Sequence, residues 1–281
     1  MVTGKAVTAA MRHLGLSGRP VCVHASLRSF GRVEGGAATV VDRLLAAGCT
    51  VMVPSFSWVY AVPPAVPGPA RNACPYEPYT GRRTGIDRVY TPDTTEIDRD
   101  DMGAIPAAVV AKAGRVRGSH PLCSFAAVGP VADDLISKQK PLRVWGALEA
   151  LCEHDGAVVL MGVGLTKMTL LHLAEQEAGR TPFLRWANGP EGTPIEVQAG
   201  GCSDGFNSFE SVLAPLEKNE AVGASLWRVF PAKATLDAAA RAIRDDPMIT
   251  HCGDPECGRC NDAVAGGPLL ERRDDRSAES Q

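Results

Sequence analysis

The chain of 281 residues carries 29 lysines and arginines against 32 aspartates and glutamates, a formal net charge of −3, and 45% apolar residues. That length supports one sizeable core or two small domains, and the slightly acidic balance argues against a general nucleic-acid binder. No apolar run approaches membrane-spanning length and the N-terminal residues lack the apolar core of a secretory signal, so a cytoplasmic protein with no membrane partner is expected.

Residues 3–16 place Val7, Ala10, Met11 and Leu14 on one helical face, and Ser17-Gly-Arg-Pro20 stops that helix. A short buried strand at 21–24 leads into a loop rich in serine and glycine, which opens a helix over about 37–47; a second strand follows at 50–54. This alternation argues for an α/β sandwich. Residues from about 55 to 101 carry many prolines and little periodicity. A loop of that length is usually a lid or a substrate wall, and Trp58, Tyr60, Tyr76, Tyr79 and Tyr90 give it something to pack. A helix at 104–112, a strand at 125–128 and helical stretches near 131–136 and 146–152 come next. Later strands are expected at 183–186, 194–197 and 226–230, with helices at about 209–219 and 235–245. The resulting plan is one α/β domain over 1–269, with an insertion at about 55–103, a Cys-rich segment at 251–260, and a polar, disordered tail at 270–281.

The stretch from Val158 to Glu175 organises the chain. Its apolar start reads as a buried strand, Gly162 and Gly164 let the backbone turn, and Thr166 or Thr169 caps the next helix. His172 falls in that helix's first turn with Glu175 on the same face. Ligands of α/β sheets bind where strands end and helices begin, so His172 is placed for chemistry; a core histidine bonded to a carbonyl is an equal alternative. Ser26, Ser29, Gly35 and Gly36 lie between a strand and a helix N-terminus, where an anion is favoured, although Gly35-Gly36 also fits a plain turn. Arg117, Ser119, His120 and Ser124 form a second polar cluster suited to phosphate or to capping a neighbouring element. No G-x-S-x-G elbow is present, and Cys123 or Cys202 paired with His172 is the open nucleophilic reading. Of nine cysteines, Cys22, Cys49, Cys123 and Cys152 stand singly in apolar stretches as reduced thiols do. His251, Cys252, Cys257 and Cys260 have the residue types for a tetrahedral structural zinc; a loop of reduced cysteines is the alternative.

Several stretches in order resemble the aminoglycoside 3-N-acetyltransferase family: His24-Ala-Ser-Leu-Arg-Ser-Phe-Gly31 with Gly35-Gly36, Met52-Val-Pro54, Met102-Gly103, Ser119-His-Pro-Leu-Cys-Ser124, and Leu160-Met-Gly-Val-Gly164 with His172-Leu-Ala-Glu175. The resemblance covers roughly residues 3–262. It implies a layered α/β/α sandwich with a central mixed sheet, unrelated to the GNAT acetyltransferases. It also implies acetyl-coenzyme A as cofactor and antibiotic resistance by direct acetylation of the 3-amino group of a 2-deoxystreptamine ring. His172 resembles the catalytic histidine, with Glu175 as its carboxylate partner. His24, Ser26, Leu27, Arg28, Ser29, Gly35, Gly36, Ser119, His120 and Ser124 resemble coenzyme A-cleft residues. Phe56, Asp98, Asp101, Glu175 and Asp204 fall toward the polyamine acceptor. Two departures bear on the acceptor: Lys167-Met168-Thr169 replaces an Asn-Thr pair, and Trp145-Gly146-Ala-Leu148 lacks a Ser-Pro. The partner is therefore a small-molecule amine, with self-association as a homodimer left open. Rival readings are an acyltransferase acting on a biosynthetic amine, and an inactive zinc-stabilised binding protein.

Overall fold

The computed structural model describes residues 1–64, 68–74 and 87–267. Among these, ten strands form two sheets: β1 (Pro20–Ala25), β2 (Thr50–Pro54), β3 (Ala61–Val62), β4 (Val116–Arg117), β5 (Phe125–Val128), β6 (Ala157–Met161), β7 (Phe183–Asn188), β8 (Pro194–Ala199), β9 (Lys218–Val222) and β10 (Ser225–Pro231). The larger sheet runs β4-β5-β2-β1-β6-β10-β9. β1 lies parallel to both β2 and β6, and the outer pairings are antiparallel. β3, β7 and β8 form a small antiparallel sheet.

Alternation of side chains across the pleat divides the interior into two cores. Val21 and Val23 of β1 and Val159 and Met161 of β6 face one; Cys22, Val158 and Leu160 face the other. Helices Gly4–His13, Gly36–Ala46 and Ala104–Val110 cover the first face, and Ala132–Ser137, Gly146–Glu153, Leu170–Glu177 and Ala232–Asp245 the second. This is the expected α/β/α sandwich around a mixed sheet. No helix among the described residues is long and apolar enough to cross a membrane.

The expected helix over 209–219 is broken into a 3₁₀ turn (Phe206–Phe209), a four-residue helix (Glu210–Leu213) and a second 3₁₀ turn (Ala214–Leu216), after which the chain becomes β9. Pro215 lacks the N–H that a continuing helix needs, and β9 finds its partners on β10. Of the insertion, the part holding Tyr76 and Tyr79 lies outside the described residues, as does the tail 270–281. The described part is pinned to the sheet. Tyr60 and Tyr90 meet edge to face at 5.5 Å, and the Tyr90 hydroxyl donates to the Gly118 carbonyl at 2.7 Å. The buried Arg117 guanidinium donates to the carbonyls of Ser55 and Thr94, both at 2.6 Å, and of Glu96 at 3.0 Å.

Candidate active site

The carboxyl ends of parallel strands β1, β2 and β6 open on one cleft of about 1680 Å³, where a sheet of this kind leaves room for ligands. His24, Ser26, Leu27 and Arg28 enter its wall from the β1 exit, Phe56 and Trp58 from β2, and Lys167 and His172 from β6. Gly162 makes the β6 exit feasible. Its φ is +68°, and a Cβ there would lie 1.8 Å from Ser29 Oγ, so only glycine lets the two exits pass.

Thr169 is the N-cap of Leu170–Glu177, but its side chain makes no capping bond. The third helical residue, His172, lines the cleft. Its ring stacks on Trp145 at 5.5 Å with 10° between planes, meets the Phe206 ring at 4.8 Å, and lies so near Gly200 that a Cβ there would approach it to 2.9 Å. Nδ1 donates to Glu175 Oε2 at 2.8 Å. That bond fixes the tautomer with a lone pair on Nε2, the ring nitrogen left to a bound molecule. Glu175 Oε1 accepts from Arg180 Nη1 at 2.8 Å, and Arg180 is held in turn by Thr250 Oγ1 at 2.7 Å and the Pro247 carbonyl at 2.6 Å. A buried cation, a carboxylate and an imidazole thus stand in line, an arrangement chemically suited to accepting one proton at Nε2. Arg180 had no place in the sequence reading of the site; Trp145 entered it only as a departure on the acceptor side, and Gly200 and Phe206 were not assigned to it. They come from three separate segments, Gly200 and Phe206 sharing the loop after β8, and only the Gly200-Gly201 pair leaves a local mark.

Of the residues assigned to the cleft from sequence, His24, Ser26, Leu27, Arg28, Phe56, Asp98, Asp101 and His172 meet there, with Glu175 directly behind His172. Others do not. Ser29 Oγ turns inward to the Ser26 carbonyl at 2.7 Å and Ser225 Oγ at 2.8 Å. Gly35 and Gly36 are carried off because residues 32–34 pair with Val2 on the far side. Ser119 is exposed beside the Gln139 carbonyl. Ser124 Oγ is buried on the Ser55 carbonyl at 2.9 Å and accepts from Arg117. His120 accepts at Nδ1 from the N–H groups of Leu122 and Cys123 and donates from Nε2 to the Gln198 carbonyl at 2.7 Å, so it is a satisfied core histidine. Asp204 is exposed and accepts from the Cys202 thiol at 3.5 Å. Cys123 does reach the cleft, but burial pushes its thiol up to about 12; it is no ready thiolate.

Among the described residues, the wall carries three carboxylates, all on one segment (Asp98, Asp100, Asp101), and five cations (Arg28, Arg99, Lys167, Arg185, Arg259). Asp98 Oδ2 accepts from the Trp58 N–H at 2.8 Å, and burial raises its pKa above the ordinary carboxylate value. Burial, then the Lys167 charge, lowers His24 to about 4, and burial lowers His120 to about 4. Both rings fold neutral, whereas the unfolded chain protonates them near pH ~6.5. The unfolded state therefore binds more protons between those values. This contribution to stability is complete above about pH 6.5 and is lost as pH falls toward 4, by up to ~1.4 kcal/mol per unit for each ring. Denaturant midpoints between pH 7 and 5 test it, and a His120→Gln chain with an undiminished slope contradicts the assignment to His120.

The thiol cluster also differs from its sequence form. Cys252, Cys257 and Cys260 are joined by Cys202, all four Sγ atoms lying within 4.8 Å of one another. His251 is not in the set: its Nδ1 accepts from the Gly253 N–H at 3.0 Å and its Nε2 bonds Asn261 Oδ1 at 3.0 Å.

A mixed sheet between two helical layers, with an imidazole–carboxylate pair on a cleft at its parallel strand ends, defines an α/β protein. The aminoglycoside 3-N-acetyltransferase family model matches residues 22–244, and the chain belongs to that family. Aminoglycoside N(3)-acetyltransferase IX of Micromonospora chalcea is 34% identical over 187 residues, 62% of either chain. The chain spans a little under two thirds of the length of the curated relatives it matches. Among solved structures, the apoenzyme of aminoglycoside acetyltransferase AAC(3)-IVa superposes with a TM-score of 0.76 at 24% identity, covering 94% of this chain and 98% of that one. AAC-IIIb in a binary complex with CoASH superposes with a TM-score of 0.68 at 24% identity, covering 86% and 96%. Identity at that level carries the fold alone.

Proposed function

We propose that the chain is an acetyl-coenzyme A-dependent aminoglycoside N-acetyltransferase, acting on the 3-amino group of a 2-deoxystreptamine ring by direct transfer with His172 as general base. The observation that carries this reading is the Arg180–Glu175–His172 line ending at Nε2 on the cleft. The family supplies the acceptor class, and the fold neighbour AAC-IIIb is described with CoASH. Acetyl-coenzyme A brings the acyl group as a thioester. An aliphatic amine is protonated at neutral pH and cannot attack until it loses that proton. Nε2 of His172 takes it, Glu175 offsets the imidazolium charge, and Arg180 holds Glu175 in place. Arg28 and Lys167, from the exits of adjacent strands β1 and β6, are the cations suited to the coenzyme's phosphates.

The test is thiol release from acetyl-coenzyme A over a panel of aminoglycosides and simple amines. Release with aminoglycosides supports the reading; release with other amines alone overturns the acceptor. A biosynthetic amine is the second reading, favoured by the five cations against three carboxylates among the described wall residues and by Lys167 where many members carry Asn-Thr. Under the first reading, Asp98→Asn with Asp101→Asn raises KM for a polycationic acceptor by about fivefold to tenfold at low salt, with the difference shrinking as salt rises. Coenzyme A affinity stays unchanged. A KM that ignores both substitutions removes this segment from acceptor binding.

A further inference from the structure

The last described helix has little apolar burial of its own. The helix Gly258–Val264 has seven residues, and Cys260 is the buried residue it contributes. So little apolar area gives weak attachment. Yet this helix reaches the functional cleft: Arg259 is on the cleft wall, and Ala263 lines the crevice shared with His172, Glu175 and Gly200. Something other than hydrophobic burial has to fasten it.

The four thiols stand where such a fastening is needed. Cys252 and Cys257 flank a turn at Gly253, whose φ is +88°, and Cys260 follows on the helix. Cys202 comes from a different part of the chain, the loop that leaves β8 and passes His172 at Gly200. Backbone contact brings the two segments together: a Cβ on Gly205 would lie 2.4 Å from the Thr250 carbonyl oxygen and 2.5 Å from that of His251. All four Sγ atoms lie within 4.8 Å of one another. A tetrahedral zinc tetrathiolate with Zn–S bonds of ~2.3 Å needs sulfurs roughly 3.8 Å apart, so small side-chain rotations complete it. The Cys252 N–H already donates to Cys260 Sγ at 3.4 Å, the kind of outer bond that steadies a thiolate ligand.

We propose that Cys202, Cys252, Cys257 and Cys260 bind one Zn²⁺ ion in a closed tetrathiolate site that fastens the helix Gly258–Val264 to the loop beside His172. Four thiols give up their protons on binding and leave the site with two net negative charges. Asp204, which accepts from the Cys202 thiol, turns to solvent, where its exposure allows it to go. With four protein ligands there is no open position, so the ion is structural. The inference does not depend on acyl transfer.

Metal content of the full chain, purified from zinc-supplemented medium and desalted, decides it. One zinc per chain is expected, with Cys202→Ser and Cys260→Ser each falling to below about a tenth of an equivalent. His251→Ala keeps its full equivalent, which separates this ligand set from the contiguous one. Replacement by cobalt gives the intense visible absorption of a tetrahedral thiolate complex. Since a cysteine variant that failed to fold also loses metal, the wild-type chain supplies a second measurement. Cys252 and Cys257, both partly exposed, resist alkylation when loaded and react after chelation. A wild-type chain without zinc, a zinc-replete Cys202→Ser chain, a metal-free His251→Ala chain, equal alkylation with and without chelator, or disulfides among the four each overturn the proposal.

Discussion

In a thiol-release assay, His172→Ala is expected to lower turnover by about 10²–10⁴-fold, the range that a positioned general base contributes. The thermal midpoint and coenzyme A affinity stay near wild type. The substitution leaves Glu175 paired with Arg180, so no buried charge is abandoned, and helix Leu170–Glu177 keeps Leu170, Leu171, Leu173 and Ala174 in the core. The vacated space between Trp145 and Phe206 is the size of an imidazole, so added imidazole should restore part of the rate. Rescue distinguishes a lost base from a collapsed pocket. Turnover close to wild type in a folded His172→Ala chain would falsify base catalysis by this residue.

The second large effect concerns stability. Arg117→Ala is expected to cost roughly 3–5 kcal/mol, because a hydrogen bond to a charged group is worth about 1.5–3 kcal/mol and several from one buried guanidinium are lost together. The bonds lost run to the carbonyls of Ser55, Thr94 and Glu96 and the hydroxyls of Ser57 and Ser124; of these acceptors, the Ser55 and Thr94 carbonyls keep a second donor in Ser124 and Arg115. Burial also holds the Arg117 pKa below its usual value. Arg117→Lys keeps a charge but not the planar fork, and should recover less than half of the loss. Denaturant titration measures the cost, and limited proteolysis reports whether residues 87–103 come loose first. A loss under about 1 kcal/mol means that Arg117 is not the anchor.

Strands buried on both faces were the most legible part of the chain. β1, β2 and β6 are continuous apolar runs because each face meets a core; their exits pointed to Ser26 and His172, whereas His24, Arg28 and Phe56 were implied only by the family resemblance, and all five line the cleft. The segment 209–219 misled because helical apolar spacing survives in a chain that Pro215 interrupts. The 119–124 segment misled for a different reason. Serine, histidine and arginine that satisfy one another inside a protein look, in sequence, like the same residues facing an anion. Only the hydrogen bonds of His120 and Ser124 separate the two cases. Cys202 was missed as a partner of the C-terminal thiols because a loop that crosses from another sheet leaves no trace in local spacing. The stacking of Trp145 on His172 was hidden in the same way.

That stack has a consequence for how the imidazole meets a molecule in the cleft. Trp145 on one side, Phe206 and the bare backbone of Gly200 around it, and Glu175 at Nδ1 leave the ring one orientation. Its rotational freedom disappears when the chain folds, so an arriving molecule has no side chain to immobilise and no swing to await. Under the proposed function, idle and working forms share a single pose of the ring, and discrimination between acceptors falls to the opposite wall.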